Sequence, residues 1–285
     1  MAQFTNQAQL SYNNTVVNSN VVVGEILEVV SGNKTAIVDT YTADGIVTYA
    51  ISLVNAGSTA ITGLTLTDNL GAYQQGTLTL VPLTYVDGSV QLFINGVLQP
   101  APTVSATAPA LTVSGITLPA NSDLVLIYTT QINDYAPLDT TASIVNTAQI
   151  TGNGIPTPIS VTETVTPVQA AQLRITKSIE PVPVAENGTL TYRFVIENFG
   201  NVASTAADNV ALSDLFDPIL SGITVNLDGT AWTVGTQYTY DEATGQFNTV
   251  PGQITVPAAT YTQDITTGVW SVTPGVAVLT VSGTV

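Results

Sequence analysis

Ile46-Val47-Thr48-Tyr49-Ala50-Ile51-Ser52-Leu53-Val54 is the stretch that decides the fold. Val47, Tyr49, Ile51 and Leu53 fall on one side and Thr48, Ala50 and Ser52 on the other, the period of two of a half-buried β-strand. Leu190-Thr191-Tyr192-Arg193-Phe194-Val195-Ile196 repeats the pattern. Between such runs stand turn signals: Asp44-Gly45, Asp87-Gly88, Asn95-Gly96, Asn187-Gly188 and Asp228-Gly229. Asn95-Gly96, set between Gln91–Ile94 and Val97-Leu98, has the form of a two-residue hairpin. No segment keeps a helical period over ten residues. The expected class is all-β, built as Ig-like β-sandwiches.

The chain repeats itself. Thr48-Tyr49 followed by Asn55-Ala56-Gly57 matches Thr191-Tyr192 followed by Asn198-Phe199-Gly200, and Lys34 matches Lys177 in the same frame. After a three-residue insertion, Leu66-Thr67-Asp68-Asn69-Leu70 meets Leu212-Ser213-Asp214-Leu215-Phe216. The expected division is an N-terminal segment 1–20, a first sandwich 21–168 and a second sandwich 169–285. The join near Thr166–Ala170 is short and Pro-bearing. Later segments align less cleanly. Ile116-Thr117-Leu118-Pro119-Ala120 matches Ile254-Thr255-Val256-Pro257-Ala258, while Leu124–Tyr128 is open to a match with Val276–Thr280.

Composition narrows the functions. Of 285 residues, 45% are hydrophobic and only 8% charged, against roughly 25% charged in an ordinary domain. A neutral, hydroxyl-rich surface suits β-structure and close self-association. Twenty acids against four bases leave a net charge of −16, which removes nucleic acid and anionic membrane as partners. There is no Cys and no His, so disulfides, thiol chemistry, Ser-His catalysis and His-ligated metal are all closed. No EF-hand loop or phosphate loop is present, and no cofactor or metal is expected. The N-terminus has neither the basic nor the apolar region of a signal peptide, and no apolar run reaches membrane-spanning length.

Phe4-Thr5-Asn6-Gln7-Ala8-Gln9-Leu10 reads almost letter for letter like Ile144-Val145-Asn146-Thr147-Ala148-Gln149-Ile150, which closes the first half. No such segment closes the second half. One strand is surplus at the front and one is wanting at the back. Phe4, Asn6, Ala8 and Leu10 share one face of the surplus segment. Main-chain pairing with alternate side chains for register is the logic of strand addition. Returning to its own second domain would require the segment to run back along a whole domain. Passing it to the next subunit does not, and such a head-to-tail contact propagates into a filament. The competing expectations are a strand of its own domain and a frayed tail.

The four bases are Lys34, Lys177, Arg174 and Arg193, and both lysines hold the same repeat position. A first-strand Lys beside a last-strand Asn resembles the isopeptide-forming domains of Gram-positive pili. The chemistry needs a neutral amine, which burial supplies, and a buried carboxylic acid to carry the proton. Asp68 and Asp214 hold matching positions and are the candidate acids; Glu28, Asp39 and Glu186 are weaker ones. The expected crosslinks are Lys34 to Asn146 within the first domain and Lys177 to Asn6 of the next chain. The alternative for each Lys is an ion pair with the nearby Asp.

The set Leu173-Arg174-Ile175-Thr176-Lys177, Gly188-Thr189-Leu190-Thr191-Tyr192, Glu197-Asn198-Phe199-Gly200 and Val210-Ala211-Leu212-Ser213-Asp214 is similar to the bacterial surface repeat known as domain of unknown function eleven. The ending, Ile254–Ala259 to Thr273-Pro274-Gly275, looks like chains found in clostridia, where two-repeat proteins are major proteins of spore appendages. The resemblance implies a structural, non-enzymatic subunit of an extracellular spore fibre, assembled in the mother cell. Its partner would be itself, with an anchoring or tip protein beside it. The rival expectations are a surface adhesin with the repeats as spacers, and a spore-coat or surface-layer component.

Overall fold

The computed structural model describes residues 2–26 and 28–285. Among them no α-helix occurs, and no helix is long and apolar enough to cross a membrane. Two compact units form: Met1–Pro137 with Ser143–Pro167, and Leu138–Ala142 with Val168–Val285. The first contains β1 (Ala2–Asn6), β2 (Gln9–Tyr12), β3 (Thr15–Asn18), β4 (Val22–Ile26), β5 (Val30–Ala36), β6 (Thr40–Tyr41), β7 (Ile46–Asn55), β8 (Ile61–Asp68), β9 (Tyr73–Gln75), β10 (Leu78–Leu80), β11 (Leu83–Tyr85), β12 (Gln91–Ile94), β13 (Val97–Leu98), β14 (Thr103–Thr107), β15 (Ala110–Leu118), β16 (Ser122–Ile132), β17 (Ile144–Asn153) and β18 (Ile159–Pro167).

One sheet runs β13-β12-β16-β7-β5 and the other β14-β15-β8-β17-β18-β6. The alternation read from β7 is obeyed: Val47, Tyr49, Ile51 and Leu53 are buried. They meet Leu124, Leu126 and Tyr128 of β16 within the first sheet and face the core side of the second, including Leu64, Leu66, Val113, Ala148 and Ile150. Asn95 and Gly96 both take positive φ, as a type I′ hairpin requires. The all-β sandwich therefore follows from period-two burial and turn chemistry alone.

The second unit holds β19 (Leu173–Glu180), β20 (Thr189–Asn198), β21 (Ser213–Leu215), β22 (Ser221–Leu227), β23 (Thr230–Ala231), β24 (Tyr238–Asp241), β25 (Gln246–Thr249), β26 (Thr260–Gln263), β27 (Trp270–Thr273) and β28 (Gly275–Thr284). Its sheets run β19-β20-β28-β22-β23 and β21-β25-β24 around Phe216, Leu220, Phe247, Ile254 and Leu279. The repeated Asn has a repeated task. Asn55 Nδ2 donates to the Thr59 and Pro119 carbonyls, both at 2.9 Å, and its Oδ1 accepts from the Gly57 amide at 3.0 Å. Asn198 does the same with Val202 (2.8 Å), Pro257 (2.9 Å) and the Gly200 amide (2.9 Å).

That anchor resolves the later register. Asn55 lies opposite Ser122 and Asn198 opposite Gly275, so Leu124 corresponds to Ala277 and Tyr128 to Val281. The match of Leu124 with Val276 is corrected by one residue, a slip that would turn every side chain to the wrong face. The Ile116–Ala120 match with Ile254–Ala258 stands beside it, because the hairpin β26–β27 is inserted before β28.

Two features depart from a plain repeat preceded by a single strand. In the first unit, β8 is flanked by β15 and β17, and β18 lies beyond. In the second, among the described residues, β21 is paired only with β25 and is a sheet edge. Second, the sequence reading treats residues 1–20 as one strand, and the structure folds them with 21–26 into a hairpin. β1 pairs with β4 and β2 with β3 across Asn13-Asn14, whose φ values are 45° and 60°. Two asparagines can hold that left-handed turn. Every side chain from Phe4 to Val23 is exposed.

Leu126 is fully buried at the centre of β16. Leu126→Ala is expected to lower the unfolding free energy of the first unit by about 2–5 kcal/mol, read from the shift of its transition in a denaturant titration.

Candidate functional site

Lys34 stands on β5 opposite Ile51 of β7, on the inward face. Asp68 ends β8, and β17 beside it places Ala148 opposite Asp68 and Asn146 two residues on. Three strands from two sheets thus bring Lys34, Asp68 and Asn146 together, with Lys34 only 2% exposed and the other two at 0%. Lys34 Nζ donates to Asp68 Oδ2 at 2.6 Å and to the Asn146 main-chain carbonyl at 3.0 Å. The Asp68 Oδ1 accepts the Leu70 amide at 2.9 Å. Burial is the dominant influence on Lys34 and lowers its pKa from 10.5 to about 8, against the opposing pull of Asp68 and, more weakly, Glu163.

Two tyrosines and a glycine that the sequence reading did not single out complete the site. Tyr128 donates its hydroxyl to Asp68 Oδ2 at 2.6 Å and accepts from Asn146 Nδ2 at 3.3 Å. Tyr49 lies opposite Tyr128 in the ladder. Its hydroxyl is buried without a hydrogen bond of full geometry, and the Asn146 side chain is its polar neighbour. Burial raises the pKa of both hydroxyls, so both keep their protons. The Gly71 amide donates to Asn146 Oδ1 at 3.2 Å. A Cβ there would lie 2.4 Å from Ile144 Cγ2, and φ is +71°, so only glycine brings that amide to the carboxamide oxygen. The signal available in the sequence was the pair of tyrosines on central strands.

The site can polarise a carboxamide from its oxygen, hold a nucleophilic nitrogen nearby and pass a proton through Asp68. Glu28, Asp39 and Glu186 are exposed and outside this hydrogen-bonded network. Glu163 of β18, opposite Asn146 in the ladder, is the second carboxylate whose charge reaches Lys34.

The second unit builds half of this arrangement. Lys177 lies opposite Phe194, as Lys34 lies opposite Ile51, and forms an ion pair with Asp214. Its Nζ sits over the rings of Tyr192, Phe194 and Phe216 at 4.4, 5.5 and 5.7 Å, contacts that favour a cation on an aromatic face. Yet the Lys177 side chain is 39% exposed, because among the described residues no strand occupies the place of β17. The expected partner Asn6 lies on β1 and is exposed.

No protein-family model matches the chain, and no curated protein matches it. Among solved structures it is similar to the pilus backbone of Streptococcus pneumoniae, at 13% identity and a TM-score of 0.35, over 86% of this chain and 55% of that one. It is similar to BcpA, the major pilin subunit of Bacillus cereus, at 11% identity and 0.38, over 95% and 73%. The major pilin SpaD of Corynebacterium diphtheriae matches at 12% identity and 0.36, over 78% and 50%. The chain thus spans about half the length of the first and third. These likenesses are remote, and the fold rests on the chain's own strand pairing.

The Lys34 pKa carries a linkage consequence. Its folded value, about 8, lies below the 10.5 of the unfolded chain, so the unfolded state binds the proton more tightly between the two. In Asn146→Ala, which has no carboxamide to react, stability is expected to rise as pH climbs from about 8 towards 10, where tyrosine ionisation begins. Denaturation midpoints across that window check it; a flat or falling curve would contradict the buried amine.

Proposed function

We propose that the chain is a structural subunit of a self-assembling extracellular fibre, a spore appendage in the resemblance drawn above. Subunits join head to tail when the surplus N-terminal strand of one completes the second unit of the next. The observation that carries this reading is the half-built site. Lys177, Asp214 and an aromatic floor stand open in one place, and the Asn6-bearing copy of β17 stands exposed in another. In the joint Asn6 takes the place that Asn146 holds in the first unit.

The first unit has the parts for an internal crosslink. Neutral Lys34 Nζ attacks Asn146 Cγ, with the Gly71 amide donating to the oxygen that gains charge. Asp68 takes the amine proton and returns it to the departing nitrogen. One N–C bond forms, one C–N bond breaks and ammonia leaves, so no outside reactant is needed. Tyr128 positions Asp68 and the carboxamide. The same exchange between Lys177 and Asn6, with Asp214 as the acid, would lock neighbouring subunits. The role is structural, with at most one self-directed turnover per site.

Two measurements test the reading. The intact mass of purified monomer is expected to fall short of the sequence mass by one ammonia, and Lys34→Met or Asp68→Ala is expected to restore it. Deleting residues 2–20 is expected to abolish fibres in electron micrographs; fibres like those of the full chain would rule out strand donation.

A further inference from the structure

The open region of the second unit is wider than one strand. In the first unit, β18 lies outside β17 and also covers β5. A Cβ on Gly32 of β5 would stand 3.3 Å from Val161 Cγ1 and 3.5 Å from Ile159 Cγ2. β19 occupies the same place in the second unit as β5 in the first. All eight of its residues are exposed. The exposed residues include the face that carries Lys177, where Leu173, Ile175 and Ile179 are 37%, 55% and 46% exposed. An apolar row normally shut inside a sandwich is bare, and beside it β21 offers an unpaired edge. The space is that of two strands, β17 and β18 together.

The N-terminal segment has two strands to offer. Asn6 lies opposite Val22 as Asn146 lies opposite Glu163, and Leu10 lies opposite Val17 as Ile150 lies opposite Ile159. One side of this hairpin carries Phe4, Ala8, Leu10, Val17 and Val22, with the Phe4 ring lying over Gly24. The reverse side carries Thr5, Gln7, Gln9 and Ser11, with Val23 opposite Thr5 and Val16 opposite Ser11. An exposed two-stranded element, with its larger apolar side around Phe4 and Leu10, thus repeats the pairing of β17 with β18, which has no counterpart in the second unit among the described residues.

Resting on the fibre reading above, we infer that the donated element is the whole hairpin β1–β4. It seats on the second unit of another copy of this chain. β1 and β2 pair with the β21 edge, with Ala8 opposite Asp214 as Ala148 is opposite Asp68. β3 and β4 lie over β19 and cover Leu173, Ile175 and Ile179. Bulk is exchanged between the two settings. Where the first unit fits Val161 against Gly32, the second has Ile175 at the Gly32 position. Opposite Ala8 the hairpin widens at Ser19-Asn20, where Ser19 exchanges hydrogen bonds with Ala8 through its amide and Oγ, both at 2.9 Å. The hairpin is thus shaped for the second unit.

The absence of cysteine makes the test direct. Val17 takes the place of Ile159, and Ile175 that of Gly32, so the two meet across the joint. In the full chain, Val17→Cys combined with Ile175→Cys is expected to give, under mild oxidation, a ladder of disulfide-linked multimers on a non-reducing gel that collapses when reductant is added. Val16→Cys with Ile175→Cys, which turns the thiol to the reverse side, is expected to give no reductant-sensitive ladder. Both sites are exposed, so neither pair should compromise folding. No reductant-sensitive ladder from the first pair, with or without fibres, or equal reductant-sensitive ladders from both, overturns the hairpin. If deletion of residues 2–20 still abolishes fibres in that case, single-strand donation survives; if fibres persist without those residues, both readings fall.

Discussion

A strand edge beside an open core is the constraint on which this molecule turns. Each residue of such an edge carries an amide and a carbonyl that need partners, and the apolar face behind it needs cover. The first unit meets both needs internally, with β17 pairing β8 and β18 lying over β5. The second unit meets neither among the described residues, since β21 and β19 are both edges and β19 is exposed throughout. A protein that keeps a bare edge invites uncontrolled pairing. One that also carries a matching hairpin supplies a specified partner. On the proposed reading donor and acceptor are different surfaces, so the contact is heterologous and each copy can both give and receive.

The buried Lys34–Asp68 pair makes the same point in electrostatic terms. A buried ion pair contributes little net stability, since desolvation offsets the attraction, although removing one partner costs heavily. Its value here is positional: β5, β8, β16 and β17 meet at one hydrogen-bonded cluster of Lys34, Asp68, Tyr128 and Asn146. The Lys177–Asp214 pair is the same pairing left open, with Lys177 in contact with water. Covering it with a strand would impose on Lys177 the burial that Lys34 already has. On the proposed reading the chemistry of the joint is therefore conditional on assembly. One part of the first site has no counterpart: Val281 stands where Tyr128 would, and the Tyr192 hydroxyl bonds to the Asp217 carbonyl at 3.1 Å. The two sites are related but not equivalent.

Much of this was legible in the sequence where the cause is local. Alternation in Ile46–Val54 and the turn at Asn95-Gly96 depend on neighbours along the chain, and the architecture followed from them. The matching positions of Lys34 and Lys177, and of Asp68 and Asp214, pointed to residues that the structure brings into contact in each unit. What stayed hidden depends on ladders between distant strands. Tyr128 and Tyr49 look like ordinary strand aromatics until β7 and β16 are paired. The Gly71 amide is invisible because main-chain donors leave no mark in a sequence. The late register was ambiguous because Val276-Ala277-Val278-Leu279 reads as apolar on either face, and only the Asn198–Gly275 pairing selects one. The N-terminal hairpin is hard to read from sequence because Asn13-Asn14 is a weaker turn signal than Asn-Gly.

The charge distribution bears on how like subunits approach one another. A net charge of −16 makes copies repel at long range, an effect that salt screens over a Debye length of roughly 8–10 Å. The bases do not spread evenly over this background. Arg174, Lys177 and Arg193 all lie on β19 and β20, and only Lys34 lies elsewhere, buried and paired. The acceptor edge thus gathers three of the four bases, balanced there by Glu180, Glu197 and Asp214. The hairpin from Ala2 to Ile26 carries a single acid, Glu25, and no base. Repulsion therefore comes mostly from surfaces that the proposed joint does not use, while the two surfaces that meet carry little net charge. Approach of the hairpin to β19 is the encounter least opposed by the molecule's own field, and an approach of one acidic face to another is disfavoured. On the proposed reading, the same composition that keeps copies apart in most orientations leaves this one the least opposed.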